Sequence, residues 1–198
     1  MTFFHSTIKV KQRLRSAKLL ERKEHNIIQK KAKDQKICKK ILGLAAFKKA
    51  KKILFYLPIR GEVDITEIFS KKKTFILPRV KGKILQLHAT ENLTQTAKGK
   101  FNILEPHGHL TKIKPHDLDL ILVPGVVFGE DGHRIGYGKG FYDRLLKKTS
   151  CPKIGIAYGF QIVKNIPGEP HDVPMNMIIT EQKTLKVRRK KLGATKRA

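Results

Sequence analysis

Three glycines at alternate positions, Gly136, Gly138 and Gly140, stand in the segment Gly132-His133-Arg134-Ile135-Gly136-Tyr137-Gly138-Lys139-Gly140-Phe141-Tyr142-Asp143-Arg144. Glycines so spaced just ahead of a helix leave backbone N–H groups uncovered by side chains, which is a common way to cradle phosphate. Arg134 and Lys139 add the positive charge such a ligand needs. The segment is not a Walker A loop, because His133 lies five before Gly138 and Gly140 follows the lysine where Ser or Thr would hold magnesium. Nor is it a dinucleotide fingerprint, since the third glycine comes one residue early and the loop does not directly follow its strand. On composition alone, a glycine-rich connector with a solvated Arg and Lys is the plainer alternative.

Around this loop stand several charged residues with two readings each. Asp143 falls in the first turn of the following helix, where a carboxylate suits the dipole; it could equally hold a magnesium ion beside phosphates. Asp172, in Pro170-His171-Asp172-Val173-Pro174, is a second loop carboxylate open to the same choice between turn and ligand. Lys11 and Arg15 at i, i+4, with Arg22 seven further on, share one face if their helix is continuous, either a wet stripe or a nucleotide contact. Glu62, in Pro58-Ile59-Arg60-Gly61-Glu62-Val63-Asp64, follows a strand end, where ligand contacts gather; an exposed turn is its expected setting. The histidines show no metal spacing, and no Ser or Cys stands in a recognisable nucleophile setting.

The elements that must position these residues can be read from periodicity. A basic amphipathic helix is expected over about 7–20 with Ser6 or Thr7 as cap, and a second runs from Asn26 to Phe47 on the spacing of Ile37, Ile41 and Leu44. Buried strands are expected at Ile53–Leu57, Thr74–Leu77, Leu120–Val123 and Ile154–Tyr158, the first three each stopped by a proline. Asp64 would cap a short helix holding Ile65, Ile68 and Phe69, which makes strand, helix, strand a crossover unit. Ile84–Leu87 reads as an outer strand, 90–115 as loop with small pieces of structure, Phe141–Lys148 as a short helix, and Ile178 and Ile179 as a last strand. Short apolar strands alternating with helices predict a mainly parallel sheet covered on both faces, with sites at the carboxyl ends of its strands.

Length and composition set the outer limits. The chain's 198 residues suit one domain, and a 40% hydrophobic fraction excludes wholesale disorder. Lys+Arg 43 against Asp+Glu 16 gives a net charge of +27, so polyanions are attracted at low salt whatever the function. Two cysteines, Cys38 and Cys151, form neither a disulfide framework nor a metal motif, which points to a reducing cytoplasm. The first residues lack the order of a secretory signal, and no apolar stretch reaches the roughly 18 residues of a membrane span. From Lys183 onward the chain is basic with no acid, and a basic tail, mobile at its end, is expected over 183–198, outside a domain spanning 1–182.

In combination these pieces are more specific. Lys11-x-x-Leu14-Arg15, Tyr56-Leu57-Pro58 with Glu62-Val63-Asp64, Leu77-Pro78, Val123-Pro124-Gly125 with Phe128, the Arg134–Asp143 segment, Gln161, and His171-Asp172 leading to Ile179-Thr180-Glu181 resemble, in this order, the 5-formyltetrahydrofolate cyclo-ligase family. The resemblance covers about residues 8–182. It implies a single Rossmann-like three-layer α/β domain with a mainly parallel central sheet, of the NagB/RpiA/CoA-transferase-like type. It also implies ATP- and Mg²⁺-dependent cyclisation of 5-formyltetrahydrofolate, with or without a polyglutamate chain, to 5,10-methenyltetrahydrofolate, by phosphorylation of the formyl oxygen and release of ADP and phosphate. Such phosphoryl transfer asks for positioning and charge neutralisation and no protein nucleophile.

Carried over by resemblance, Lys11 and Arg15 would hold ATP phosphates, and Arg134, Ile135, Gly136, Tyr137, Gly138, Lys139, Gly140, Phe141 and Tyr142 would wrap the triphosphate. Arg134, Lys139 and Tyr142 would be the catalytic set, with Asp143 and Asp172 serving Mg²⁺. Leu57 and Glu62 would face the folate, Glu62 by accepting hydrogen bonds from the pterin, with Tyr137, Gly138, Lys139, Gly140 and Phe141 at the formyl end. Phe141 stands where the family commonly has Tyr, Asn176 where it commonly has Asp, and Tyr137 at a variable position that says little. A monomer is expected. The rival classes are a nucleic-acid-binding protein gripping phosphate with its basic helices and tail, and a small-anion enzyme of similar architecture; no recognition-helix, RNA-binding or zinc signature supports the first, leaving nucleic acid a non-specific partner.

Overall fold

The computed structural model describes residues 2–24, 26–99, 103–169 and 172–187. Its centre is an eight-stranded sheet. In chain order the strands of this sheet are β1 (Lys52–Leu54), β2 (Thr74–Lys81), β3 (Ile84–Thr90), β6 (Lys112–Ile113), β7 (Leu120–Pro124), β10 (Lys153–Ile156), β12 (Met177–Ile179) and β13 (Thr184–Lys186). They lie side by side in the order β13-β12-β10-β7-β1-β2-β3-β6. From β12 to β2 every pairing is parallel, and the flanking β13, β3 and β6 each run antiparallel to the neighbour they extend. The expected parallel sheet and the β1–β2 crossover are therefore present.

Successive strand residues point to opposite faces, which is why these strands are apolar throughout. Ile53, Phe55, Phe75, Leu77, Leu120, Leu122, Ile154 and Ile156 pack on one face with Ile37, Ile41 and Phe47 of helices α2 (Ile27–Gly43) and α3 (Ala45–Lys49). Leu54, Ile76, Ile121, Val123 and Ile178 fill the other face with Leu145 and Leu146 of α4 (Phe141–Leu146). Phe128 of β8 (Val127–Gly129) packs there too, and β8 pairs with β9 (Arg134–Ile135) and β11 (Ile162–Val163) in a small second sheet. A third cluster joins Val126, Val127, Ile135 and Ile166 to Leu14 and Leu19 of α1 (Thr2–Lys23), so the first helix is laid over the second sheet. Each fully buried aliphatic side chain here is worth about 1.5–3 kcal/mol.

Several boundaries differ from expectation for local reasons. The second helix breaks at Leu44, whose backbone is extended (φ −67, ψ 133) directly after Gly43. The helix expected after Asp64 is a 3₁₀ turn, Thr66–Ile68, with Ile65 at its cap position; Asp64, one residue earlier, accepts from the Thr66 N–H. β2 runs past Pro78 because β1 ends at the register Leu54↔Ile76, so beyond that point the missing proline N–H costs no bond to β1. β3 is not the outermost strand, since β6 pairs outside it. The loop of 90–115 also holds a hairpin, β4 (Thr96–Lys98) with β5 (Leu104–Pro106). Past residue 182 the chain still joins the fold: Thr184–Lys186 pairs with Met177–Ile179, and Val187 packs on the core. Residues 188–198, and His171 in the quoted Pro-His-Asp segment, lie outside the described residues.

Taken in chain order, the parallel strands step outward from β1 to β2 and then return to the other side at β7. The order thus reverses between β1 and β7, and crevices outside the carboxyl ends at such a reversal are where open α/β sheets bind ligands. β1 leads to Leu57 and Glu62, and β7 leads to Gly125.

Candidate functional site

Helix α1 reaches this crevice with three cations on one face. The Arg15 Nε donates to the Gly136 carbonyl at 2.8 Å, and Lys11 Nζ lies 3.0 Å from Asp172 Oδ2 and 3.5 Å from Glu169. Arg22 is 3% exposed and donates to the Tyr137 hydroxyl at 3.0 Å and the Gly125 carbonyl at 2.6 Å. The stripe is thus bonded across to the loops and is not a wet face. Gln161 donates to the carbonyls of Gly125 and Val126, which fixes the turn after β7 from its other side.

The glycine loop is held by arginines. A Cβ on Gly136 would stand 3.2 Å from the Arg134 guanidinium, one on Gly138 3.7 Å from that of Arg15, and one on Gly140 2.9 Å from that of Arg144. Gly138 and Gly140 also have φ of +92 and +64, a region side chains rarely adopt, so the backbone favours glycine at both, and at Gly140 the close Arg144 does so too. Arg144 donates to the Lys139 carbonyl at 2.7 Å and lies over the Phe141 ring. The ring that replaces the commoner Tyr is therefore kept in use. Lys139 itself and Gly138 are exposed at the mouth of the loop.

Arg134 sits beneath the loop with its side chain 4% exposed, 2.7 Å from Asp143 Oδ1 and 5.5 Å from the Tyr142 ring centre. Burial pulls its pKa down, opposed by Asp143, Tyr142 and Asp172, so both acids act on this one guanidinium. The Arg134 Nε is buried with no hydrogen-bond partner, a donor left for an anion. Asp143 is not the cap of α4, a place taken by Gly140. Asp172 keeps a turn role as well, accepting from the Glu169 N–H at 2.9 Å.

Glu62 departs most from expectation: it is 4% exposed, not an exposed turn residue. Burial pushes its carboxyl up to about 7, held back by the Ile59 N–H, the Arg22 charge, the nearby Tyr137 and the Arg60 charge. Arg60 (φ +47) and Gly61 (φ +75) form the tight turn that folds Glu62 inward, and a Cβ on Gly61 would stand 3.1 Å from Arg22. Arg60 lies 5.4 Å from the Tyr137 ring centre, and burial with Glu62 raises the Tyr137 phenol to about 12. Tyr137, uninformative as a variable position, is thus a junction of α1, the glycine loop and the Glu62 turn. Arg60 was missed by sequence reasoning; only the Arg-Gly turn pair hinted at it. Leu57 packs half-buried on the α2 side of the core at the carboxyl end of β1. Asn176, where an acid is commoner, accepts from the Lys153 N–H and ties β12 to β10.

Among the described residues no group of three or more His, Cys, Asp and Glu forms a metal cage. The hard oxygens of Asp143 and Asp172 beside Arg134 fit Mg²⁺ shared with substrate phosphates, since that ion takes one or two carboxylates and keeps several waters. No described helix is long and apolar enough to cross a membrane.

Comparison with known proteins gives the family and the fold. The family model of the 5-formyltetrahydrofolate cyclo-ligase family matches residues 7–181. A 5-formyltetrahydrofolate cyclo-ligase of Mycoplasma genitalium is 33% identical over 172 residues, 85% of this chain and 96% of its own. The NMR structure of Aquifex aeolicus 5,10-methenyltetrahydrofolate synthetase is similar with a TM-score of 0.84 at 36% identity, covering 94% of this chain and 98% of that one. A 5,10-methenyltetrahydrofolate synthetase structure from Mycoplasma pneumoniae gives 0.72 at 30% identity, covering 86% and 98%. With the sheet order, the arginine-held loop and the buried acid in place, this chain belongs to the 5-formyltetrahydrofolate cyclo-ligase family.

Proposed function

We propose that the chain cyclises 5-formyltetrahydrofolate to 5,10-methenyltetrahydrofolate, converting ATP to ADP and phosphate. The observation that carries the reading is the meeting, at the β1–β7 reversal, of a cationic glycine loop with a buried carboxylate. The formyl group of an amide is a poor electrophile. Its oxygen attacks the γ-phosphorus, the bond to ADP breaks, the neighbouring folate nitrogen bonds to the activated carbon, and phosphate leaves as that nitrogen gives up its proton.

Each residue has a task suited to its setting. Lys11 and Arg15 neutralise the triphosphate from α1, and the N–H groups of 135–142 line its path. Arg134, with its unpartnered Nε, and the exposed Lys139 steady the transferred phosphoryl group, while Tyr142 walls the pocket against Arg134. Glu62 accepts from the pterin's N–H edge, and Leu57 and Phe141 cover the apolar ring surface. Asp143 and Asp172 would hold Mg²⁺, which supplies charge neutralisation on the phosphates when bound. Both acids are paired with cations, Asp172 with Lys11 and Asp143 with Arg134, and a triphosphate offers those cations further anionic partners.

The net charge of +27 favours a polyglutamylated folate over the monoglutamate by raising its local concentration. A cytoplasmic monomer is the form in which we propose it works. Absorbance of the methenyl product, followed with ATP, Mg²⁺ and 5-formyltetrahydrofolate, tests the reading. Turnover that disappears without ATP is expected; folded protein that forms no product would overturn it.

A further inference from the structure

We propose that Arg22 is a positioning residue for the nucleotide: its guanidinium fork bonds the two ends of the β8–β9 hairpin to α1, which fixes the glycine loop against the cations of that helix. This rests on the reading that the crevice binds ATP, and it gives a task to a side chain that the phosphoryl transfer itself does not use. One terminal nitrogen of Arg22 donates to the Gly125 carbonyl at 2.6 Å and the other to the Tyr137 hydroxyl at 3.0 Å. Gly125 stands shortly before β8 and Tyr137 shortly after β9, so one side chain spans the hairpin where it opens. The hairpin's own pairing brings these ends together, with the Val126 N–H donating to the Ile135 carbonyl at 2.8 Å. Lys11 lies on the same helix, about 16 Å along its axis from Arg22, and Arg15 lies between them with its Nε on the Gly136 carbonyl. Arg15 and Arg22 therefore hold adjacent residues of the loop, Gly136 by its carbonyl and Tyr137 by its hydroxyl. A triphosphate meets a loop so gripped already in place beside Lys11, and little ordering is left for binding to bring about.

The setting of Arg22 points to function in a second way. It is 3% exposed, both of its bonds go to neutral oxygens, and its Nε is buried with no hydrogen-bond partner. A buried guanidinium so incompletely paired costs folding free energy, and such costs are kept where a site uses the group. Neither acceptor depends on it for burial: the Gly125 carbonyl also accepts from Gln161, and Tyr137 is half-buried. The stem of Arg22 lies along the turn before Glu62, where a Cβ on Gly61 would stand 3.1 Å from its Cγ.

Arg22→Lys keeps the charge and the stem but replaces the planar fork by one ammonium, which cannot reproduce both bonds in the same geometry. In the methenyl-absorbance assay its KM for ATP should rise about tenfold while its KM for 5-formyltetrahydrofolate stays within about twofold. Titration calorimetry with ATP and Mg²⁺, without folate, should show the same loss of about tenfold in affinity. Arg22→Met removes the charge at similar volume; its ATP affinity should fall at least as far, while its Tm stays at or above the parent's, because the cost of burying the ion is removed with it. A Lys variant with the parent's ATP affinity would show that charge alone suffices. Equal losses for both substrates, or a Met variant that loses ATP only together with a lowered Tm, would show a merely structural role; each of these results overturns the inference. A parent protein that binds no ATP would instead remove the functional reading, and this inference with it.

Discussion

Glu62→Gln separates the cost of burying a charge from the use made of it. The side chain keeps its shape and an oxygen for the Ile59 N–H, but it can no longer ionise. In the native chain burial moves the carboxyl from an ordinary 4.5 to about 7. At about 1.4 kcal/mol per tenfold change in proton affinity, that displacement is worth roughly 3 kcal/mol. The sign follows from proton counting. Between those two pH values the native chain holds the proton and the unfolded chain has lost it. Stability contributed by this group is complete below pH 4.5 and is lost as pH rises through about 7. The variant has no such descent. Urea unfolding followed near pH 4.5 and near pH 8 should show the variant gaining roughly 3 kcal/mol on the parent between the two conditions, while its folate KM rises. Parallel pH dependences in the two proteins would show that Glu62 is not buried as a strained carboxylate.

Lys139→Ala should abolish turnover with unchanged thermal unfolding, because Lys139 is exposed and its carbonyl, not its side chain, takes the Arg144 bond. Asp143→Asn should raise the Mg²⁺ concentration needed for half-maximal rate, read from a metal titration at saturating ATP; an unchanged requirement would remove Asp143 from the metal site. Gly61→Ala should cost about 2 kcal/mol in urea unfolding, through its positive φ and the 3.1 Å approach to Arg22. Deleting residues 188–198 should leave the rate unchanged, whereas deleting 183–198 removes β13 with Leu185 and Val187 and should cost roughly 3 kcal/mol of stability, seen as a lowered Tm.

Much of the architecture was legible because the central strands are short apolar runs, buried on both faces and punctuated by proline. Strand order was not written in any one run: the reversal between β1 and β7 is a property of pairing between distant segments. The glycine loop and its two cations stood out by spacing, but what holds it did not. Arg15, Arg134 and Arg144 each approach a different glycine, and only Arg15 comes from another element distant in sequence. Glu62 was misjudged because local sequence, Arg-Gly-Glu, reads as a solvated turn. The positive φ of Arg60 and Gly61 turns the acid inward instead. Tyr137 carried no signal, since its importance comes from partners 115 residues earlier and in a separate turn. The last strand was hidden by lysines, whose long stems lie at a sheet edge with their charges in water.

The seating of α1 has a kinetic consequence. Lys11 meets Asp172 across 161 residues and Arg15 meets Gly136 across 121, so the first helix to be synthesised waits for almost the whole chain before its cations find their places. Pairings of such long range form late, after their loop-closure entropy has been met by the sheet. Among its described side chains, α1 rests on half-buried Leu14 and Leu19 and a few polar bonds, against fully buried side chains throughout the sheet. It is the element most easily released, and mild denaturant should silence the catalyst while the rest of the molecule is still folded.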